Sequence, residues 1–252
     1  MNIVAIIQAR MGSTRLEGKI LKEICNKPVL QLIIERLQQS ALVNKIVIAT
    51  TQSDKDNLVE SFCIKNNYLF FRGSEENVLE RFYKCAEQLN ADIIVRVTAD
   101  DPFKDPCVID EAIEMLIEKK YDYVSNTIEP TYPEGIDTEV FTFFALSKAY
   151  REAKLSSEKE HVTPYIWKNK HLFNSHNFEY IQNLSHLRWT LDTIQDFVFI
   201  DEVYKRLYRE GQLFYMKDIL KLLEQEPHLS NINSGLLRNA GYFKSIENET
   251  LI

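Results

Sequence analysis

A short stretch near the start of the chain, positions 10 to 19, combines side chains and spacing that bind anions. It contains three cations, two glycines and two hydroxyl side chains: Arg10, Gly12, Ser13, Thr14, Arg15, Gly18 and Lys19. Glycine lets backbone N–H groups approach an anion, arginine supplies forked donors, and lysine supplies a point charge. The loop therefore predicts a site for phosphate groups, with a solvent-exposed basic turn as the alternative.

Two familiar phosphate-binding loops do not fit this stretch. A Walker loop has four residues between its first glycine and the Gly-Lys-Ser/Thr run. Here five residues separate Gly12 from Gly18, and Ile20 follows the lysine. The dinucleotide fingerprint G-x-G-x-x-G is also absent from the sequence. The phosphate chemistry must therefore be of another kind.

Carboxylates follow two other predicted strands. Asp100 and Asp101 come after the apolar run 93–97, and Asp192 ends the alternating segment 187–192. Adjacent acids at the end of a strand suit Mg²⁺, which binds few protein carboxylates and takes its other ligands from water and phosphate. The alternative is structural: Asp101 or Asp105 can cap the next helix, and so can Asp192 or Thr193 in their own segment.

Further candidate residues lie in the middle of the chain. Residues 135–141 alternate polar and apolar side chains, and a strand there places Asp137 and Glu139 on one face. These carboxylates can accept hydrogen bonds from sugar hydroxyls, or they can be the solvated side of an edge strand. His161 is a candidate contact for an anionic substrate, with a structural or surface histidine as the alternative.

The elements that must position these residues alternate between short apolar strands and amphipathic helices. Predicted strands cover residues 3–7, 46–49, 69–71, 93–97, 121–125, 135–141 and 187–192, and helices lie between them, among them 54–66, 107–119 and 216–226. This alternation predicts an α/β fold with a doubly wound, mostly parallel sheet. Ligands in such sheets bind beyond the carboxyl ends of the strands, which is where the basic loop falls.

Composition narrows the class of protein. The chain has 252 residues, of which 45% are hydrophobic and 27% charged, as in a soluble globular protein of one domain. No apolar run is long enough to span a membrane and no signal peptide is evident, so we expect a cytoplasmic protein. A net charge of −7 argues against nucleic acid as a partner. The four cysteines form no C-x-x-C pair and are expected to be reduced.

The loop Q-A-R-M-G-S-T-R-L-E-G-K resembles the signature loop of the sugar cytidylyltransferases, the family that contains the CMP-Kdo and CMP-sialic acid synthetases. It is most similar to the branch named for spore-coat polysaccharide biosynthesis protein F. Segments 96–102, 132–141, 160–165 and 187–193 also match, so the resemblance spans roughly residues 1–200. Three residues depart from the family pattern: Glu17 and Ile194 replace prolines, and Ala99 replaces a glycine.

The resemblance implies a Rossmann-like fold of the nucleotide-diphosphosugar transferase type, a single domain with a small β insertion. It implies a nucleotidyltransferase that moves CMP from CTP to a sugar or sugar-acid acceptor, in surface polysaccharide or glycoconjugate biosynthesis, with Mg²⁺ as cofactor and a homodimer as assembly. Two other functions remain open at this point. One is a nucleotide-diphosphosugar glycosyltransferase, and the other is a non-catalytic homologue that binds nucleotide.

The resemblance also assigns roles to residues. Those expected to bind the nucleotide are Ala9, Arg10, Gly12, Ser13, Arg15, Lys19, Arg72, Ser74 and Thr98, and three of these act on the phosphates during catalysis, namely Arg10, Arg15 and Lys19. Asp100 and Asp192 are the expected metal ligands, and Asp137, Glu139 and His161 the expected acceptor contacts. We place the catalytic domain at residues 1–226. Residues 227–252 form a tail, for which a flap over the site, a dimer arm and a frayed end are all open.

Overall fold

The structure is a computed structural model that describes residues 1–13 and 15–251. Its strands are β1 (Ile3–Gln8), β2 (Glu23–Ile24), β3 (Lys27–Pro28), β4 (Lys45–Thr51), β5 (Phe70–Gly73), β6 (Ile93–Thr98), β7 (Tyr123–Ser125), β8 (Glu139–Thr142) and β9 (Ser175–Asn177). Its α-helices are α1 (Val29–Leu37), α2 (Asn57–Asn66), α3 (Val78–Gln88), α4 (Pro106–Lys119), α5 (Phe143–Glu152), α6 (Ser156–His161), α7 (Pro164–Lys168), α8 (Ile194–Leu207), α9 (Met216–Gln225) and α10 (Ala240–Glu247).

Seven strands form one central sheet in the order β5-β4-β1-β6-β8-β7-β9, and β2 and β3 form a separate hairpin. Strand β1 pairs in parallel with β4 and β6, and β4 pairs in parallel with β5, so these four strands end at one edge. Strand β8 runs antiparallel to both β6 and β7, and β7 is parallel to β9. The predicted mostly parallel sheet is therefore confirmed.

Helices cover both faces of the sheet, because β1 and its neighbours are apolar on both sides. Ala5 and Ile7 pack in one core layer with apolar residues of α1, α4, α8 and α9. Val4 and Ile6 face the opposite layer, which contains residues of α3, α5 and α7. This two-sided burial is the doubly wound arrangement that the continuous apolar run predicts. Among the described residues, none of the helices has the length and apolar character needed to cross a bilayer.

The predicted strands 187–192 and 135–141 differ most from the structure. Residues 187–192 are extended but form no strand: Trp189 N–H donates to the Glu134 carbonyl at 2.7 Å, and Leu191 N–H donates to the Asp100 carbonyl at 2.7 Å. Because the segment bonds to two separate loops, no continuous ladder forms. In the other case only Glu139–Thr142 is a strand. The preceding turn contains Gly135 at φ +105°, where a Cβ would lie 2.7 Å from the Trp189 backbone.

The N-termini of α4 and α8 show which of the candidate residues cap helices. Asp105 is the N-cap of α4, where its carboxylate accepts the Cys107 N–H at 3.0 Å. Thr193 is the N-cap of α8, and its hydroxyl accepts the Asp196 N–H at 3.2 Å. Asp192 is therefore not needed as a cap.

The tail does not fray. After α9 the chain forms a 3-10 turn at Pro227–Asn231 and then a stretch that includes α10, which we call the C-terminal segment (residues 232–251). Ser156 and Thr250 exchange hydrogen bonds, with Ser156 N–H donating to the Thr250 carbonyl at 2.9 Å and Thr250 N–H to Ser156 Oγ at 3.0 Å. The segment thus returns to α6, beside the carboxyl edge of the sheet.

Candidate active site

A cavity of about 810 Å³ opens beyond the carboxyl ends of β1 and β6. Its walls come from the basic loop, the turn between β6 and α4, helix α6 and the C-terminal segment. The loop is open on the cavity side, because nothing lies within 4 Å of the place where Gly12 would carry a Cβ. Thr14 of the same loop lies outside the described residues.

Lys19 lies at the centre of one wall and joins two residues that are far apart in sequence. Its ammonium donates to Asp100 Oδ2 at 2.6 Å, to Asp192 Oδ1 at 2.7 Å and to the Leu191 carbonyl at 2.8 Å. Asp100 follows β6 by two residues, and the backbone bond from Leu191 to Asp100 brings the second carboxylate alongside the first. The predicted meeting of Asp100 and Asp192 is thus present in the fold.

The opposite charges in this cluster stabilise each other, as the pKa directions of Lys19 and Asp100 show. Burial alone would lower the pKa of the Lys19 ammonium, but Asp100 and Asp192 outweigh it and the pKa lies above its ordinary value. Burial alone would raise the pKa of Asp100, but the lysine outweighs it and the pKa is lowered. Lys19 therefore stays cationic and Asp100 anionic at neutral pH.

A buried arginine holds the other side of Asp192. Arg188 Nη1 lies 2.6 Å from Glu134 Oε2, its Nε lies 3.0 Å from Asp196 Oδ1, and its Nη2 lies 3.2 Å from Asp192 Oδ2. From the loop, Arg15 Nη2 reaches the same Asp192 oxygen at 3.0 Å. Asp192 is therefore fixed in place by three cations, counting Lys19, before any ligand is bound.

The carboxylate pair fits a magnesium ion. Asp100 and Asp192 face one cation position, now taken by the Lys19 ammonium, at the wall of an open cavity. Residues 1–13 and 15–251 contain no cluster of three His, Cys, Asp or Glu side chains suited to a metal. Two carboxylates with the remaining ligands from phosphate and water is the set that Mg²⁺ accepts. Asp101 is not part of it, since its carboxylate pairs with Lys104 at 2.9 Å and accepts the Thr98 hydroxyl at 2.6 Å.

The predicted nucleotide residues divide into two groups. Most of them line the cavity: Ala9, Arg10, Gly12, Ser13, Arg15, Lys19 and Thr98. Arg72 and Ser74 do not line it, and their polar groups serve local structure. Arg72 donates to the carbonyls of Thr51 and Ser53, each at 2.8 Å, and Ser74 Oγ accepts the Asn77 N–H at 3.0 Å. A strand exit with the sequence Arg-Gly-Ser does not bring these side chains to the site.

Glu139 lines the cavity, but its carboxylate is bonded to other side chains of the protein. Its carboxylate pairs with Arg96 and accepts the hydroxyls of Tyr123 at 2.7 Å and Thr163 at 2.5 Å. Burial alone would raise the pKa of Glu139, but Arg96 and these hydrogen bonds lower it below its ordinary value. Glu139 therefore holds the Arg96 guanidinium at the cavity wall. A direct contact with the acceptor, as predicted, would compete with these bonds.

Asp137 and His161 also line the cavity, and both contact the C-terminal segment. Asp137 pairs with Arg238, and His161 Nε2 lies 2.9 Å from Ser245 Oγ. Burial, followed by the nearby Arg96 guanidinium, lowers the pKa of His161 to about 4. The imidazole is therefore neutral at neutral pH and can offer a hydrogen bond but no charge to a substrate.

Arg81 is a site residue that sequence reasoning missed. It lies on the first turn of α3 and lines the cavity, although it is only 2% exposed. The one hydrogen bond of its side chain within the described residues is from Nη1 to the Ser74 carbonyl at 2.5 Å, and no carboxylate there forms a salt bridge with it. Burial and the nearby Arg10 lower its pKa to about 10. The Asp56 and Glu75 carboxylates act in the opposite direction on this pKa without forming a salt bridge to Arg81 among the described residues. A buried cation with no directly paired carboxylate, next to a second cation, indicates a place for an anion.

Signals for these missed residues exist but are weak. Arg81 interrupts the apolar helix pattern of Val78, Leu79 and Phe82, and charge on an apolar face is unusual unless it is paired. Arg96 stands within the Arg-Val-Thr-Ala-Asp-Asp-Pro stretch, on the same side of β6 as Thr98 by strand alternation. Nothing in the sequence indicates that residues of the tail reach the cavity.

Comparison with known proteins identifies the family of this chain. The cytidylyltransferase family model matches residues 4–229. The spore coat polysaccharide biosynthesis protein SpsF of Bacillus subtilis is 35% identical over 233 residues, 90% of this chain and 95% of that protein. A 3-deoxy-manno-octulosonate cytidylyltransferase of Geotalea daltonii is 40% identical over 118 residues, 47% of this chain and 46% of that protein.

Solved structures show the same relationship in three dimensions. A cytidylyltransferase from Leptospira borgpetersenii superimposes with a TM-score of 0.88 and 30% identity, covering 94% of this chain and all of that one. The match of the family model includes the basic loop, Asp100 and Asp192, which the fold joins through Lys19. This chain belongs to the cytidylyltransferase family.

Proposed function

We propose that this enzyme transfers CMP from CTP to a sugar or sugar-acid acceptor and releases pyrophosphate, as a step in surface polysaccharide or glycoconjugate biosynthesis. The observation that carries the proposal is the convergence of Lys19, Asp100 and Asp192 in a cavity with the cations Arg10 and Arg81 on its wall. A cytoplasmic homodimer is the form in which we propose that it works. The names of the relatives support the donor and the class of acceptor.

The loop would hold the triphosphate of CTP. Lys19, Arg15 and Arg10 supply cations, and the open backbone around Gly12 lets phosphate approach closely. The oxygen of the acceptor then forms a bond to the α-phosphorus, while the bond to the leaving pyrophosphate breaks and the hydroxyl proton passes to solvent. Such transfers depend on alignment and charge neutralisation, so no nucleophilic serine or cysteine is required.

Asp100 and Asp192 would hold Mg²⁺ against the phosphates. The ion, when bound, supplies positive charge that stabilises the phosphate oxygens. When no metal ion is bound, the Lys19 ammonium donates to both carboxylates and holds them close together. Arg188 contributes by positioning Asp192 from behind.

The acceptor would enter from the side of α6 and the C-terminal segment. Asp137 and His161 line that side of the cavity and would meet sugar hydroxyls, and the Arg96 guanidinium, held by Glu139, would offer a charge to an acidic acceptor. Arg96 Nε is buried and has no hydrogen-bond partner among the described residues, which leaves a donor available to a ligand. These contacts are suited to a sugar acid.

The first test is thermal stabilisation by each of the four nucleoside triphosphates, with and without Mg²⁺. A ligand at 100 times its dissociation constant adds about 2.7 kcal/mol to the unfolding free energy, so a binding nucleotide raises Tm clearly. We expect CTP with Mg²⁺ to give the largest shift and Asp100→Asn to reduce it. Asp201→Asn is the matched control, because that carboxylate pairs with Lys205 on α8, away from the cavity.

Pyrophosphate release then distinguishes the enzyme classes. With CTP and a panel of keto sugar acids and sugar phosphates, at least one acceptor should release pyrophosphate. Stabilisation by a nucleotide-diphosphosugar but by no triphosphate would favour the glycosyltransferase. Tight CTP binding without turnover on any acceptor would favour a non-catalytic homologue.

A further inference from the structure

The C-terminal segment closes one side of the cavity. Five of its residues are part of the lining: Asn239, Ala240, Gly241, Tyr242 and Phe243. The segment also bonds to two of the three residues expected to contact the acceptor, since Arg238 pairs with Asp137 and Ser245 contacts His161.

Polar contacts rather than apolar burial hold the segment in place. Asn233 is a firm anchor: it is 4% exposed, and its Nδ2 donates to the Arg188 carbonyl and to Asp196 Oδ1, both at 2.9 Å. Beyond it no residue of α10 is buried, and Leu237 and Phe243 are 78% and 58% exposed. A segment with so little apolar burial opens at a far lower free energy than the core.

The chain changes direction just after the anchor. Gly235 has φ +82°, with nothing within 4 Å of the position of a Cβ. Hinges are a few loop residues of this kind that absorb backbone rotation next to a fixed point. Rotation here, together with breaking of the bonds between Thr250 and Ser156 at the far end of the segment, would move α10 while Asn233 stays attached to Arg188 and Asp196.

Two residues of the segment have a buried polar atom without a hydrogen-bond partner among the described residues, namely Arg238 at Nε and Tyr242 at its hydroxyl. Tyr242 is the one of these two that lines the cavity. Its ring meets the His161 ring edge to face at 5.1 Å and lies 6.1 Å from Trp167. Its hydroxyl is buried and has no hydrogen-bond partner among residues 1–13 and 15–251. A buried hydroxyl without a partner is costly, and this one belongs to a side chain that lines the cavity. A ligand in the acceptor half would supply the missing partner.

We propose that residues 234–251 form a lid that opens to admit the acceptor and closes over it, with the Tyr242 hydroxyl bonding the acceptor directly. This inference rests on the proposed function for the identity of the acceptor, and it adds a specificity-determining residue. The Arg238–Asp137 pair and the hydrogen bonds between Ser156 and Thr250 fasten the closed lid, and the rings of His161 and Tyr242 form the surface that meets the sugar.

Hydrogen exchange of the full chain tests the lid. In the free protein, we expect amides of α10 to exchange at least about 100-fold faster than those of β1 and β6, through local opening. CTP with Mg²⁺ should change them little, and adding the acceptor of highest turnover should slow them about tenfold or more. Arg238→Gln should speed α10 exchange in the free protein, whereas Arg209→Gln, an exposed arginine outside the cavity, should not.

Kinetics test Tyr242. Tyr242→Phe keeps the ring and should raise KM for the acceptor roughly three- to tenfold, the size of one hydrogen bond, with the Kd of CTP unchanged. Tyr83→Phe is the matched control, because that hydroxyl bonds Glu87 at 2.6 Å outside the cavity. An unchanged acceptor KM in Tyr242→Phe, or α10 exchange as slow as the core, overturns the lid. If no acceptor turns over in the wild type, the proposed function fails, and the Arg238→Gln exchange result still decides for or against the lid.

Discussion

Lys19→Met removes the ammonium that joins the two halves of the site while keeping an unbranched chain of similar length. In the wild type this ammonium lies 2.6 Å from Asp100 and 2.7 Å from Asp192. The three side chains are 11%, 26% and 18% exposed, respectively. The variant therefore leaves two largely buried carboxylates facing each other without their shared cation.

The expected loss of unfolding free energy in Lys19→Met follows from the burial of these three side chains. Fully exposed ion pairs contribute about 0–1 kcal/mol, and removing one partner of a buried pair costs about 3–5 kcal/mol. Because the cluster lies nearer the buried limit, we expect the free energy of unfolding to fall by about 2–4 kcal/mol at pH 7. Turnover should fall by about 10²–10³, as when a preorganised charge-stabilising donor is removed from other active sites.

Urea unfolding and steady-state pyrophosphate release, at a temperature where the variant stays folded, measure the two effects separately. Lys205→Met is a well-matched control, since Lys205 also joins two carboxylates, Asp201 at 2.6 Å and Glu202 at 3.1 Å, but is 55% exposed. It should change stability little and turnover not at all. Equal destabilisation by both variants would refute the reasoning on burial. Near-normal turnover of Lys19→Met would remove the lysine from the mechanism.

Two further substitutions test the buried charges. Glu139→Gln should destabilise the fold by about 3–5 kcal/mol at pH 7, because the Arg96 guanidinium loses its buried partner. Since the folded-state pKa of Glu139 is depressed, its stabilisation is present above the ordinary pKa and is lost as pH falls through the folded value. The difference from wild type in urea unfolding should therefore shrink below about pH 4, and a pH-independent difference would contradict the charge argument. Arg81→Met should change stability little, because loss of the hydrogen bond to the Ser74 carbonyl is offset by removal of a buried charge that forms no salt bridge among the described residues, yet it should weaken CTP at least about tenfold in titration calorimetry. Unchanged CTP affinity would show that this cation serves another anion.

The sequence was most informative where the fold itself determines position. Parallel strands end at one edge, so the loop after β1 and the acids after β6 had to lie together, and the structure confirms that arrangement. It was least informative about side-chain direction in turns. Arg72 follows the pattern of a ligand residue at a strand exit, but carbonyls of its own neighbourhood capture its guanidinium. Such short-range competition depends on loop geometry that periodicity does not encode.

The same limit explains Arg81 and the C-terminal segment. Arg81 belongs to a helix whose polar side is solvated, and only the packed structure shows that its stem lies against Gly73, where a Cβ would meet it at 3.0 Å. Arg238 contacts Asp137, which lies 101 positions earlier in the chain. Tyr242 contacts His161, which is also far from it in sequence. No local pattern specifies contacts between residues so far apart.

The three departures from the family loop and motifs fall where the fold does not need the usual residue. Glu17 is exposed beside the loop, and the turn there is made by Gly18 at φ +63°. Ala99 is 4% exposed and does not have the positive φ that would require glycine. Ile194 begins α8 with its side chain 56% exposed, and the capping box of Thr193 and Asp196 starts the helix without proline. The cluster of Lys19, Asp100 and Asp192 forms despite all three changes, so these substitutions give no structural reason to regard the chain as a degenerate member of its family.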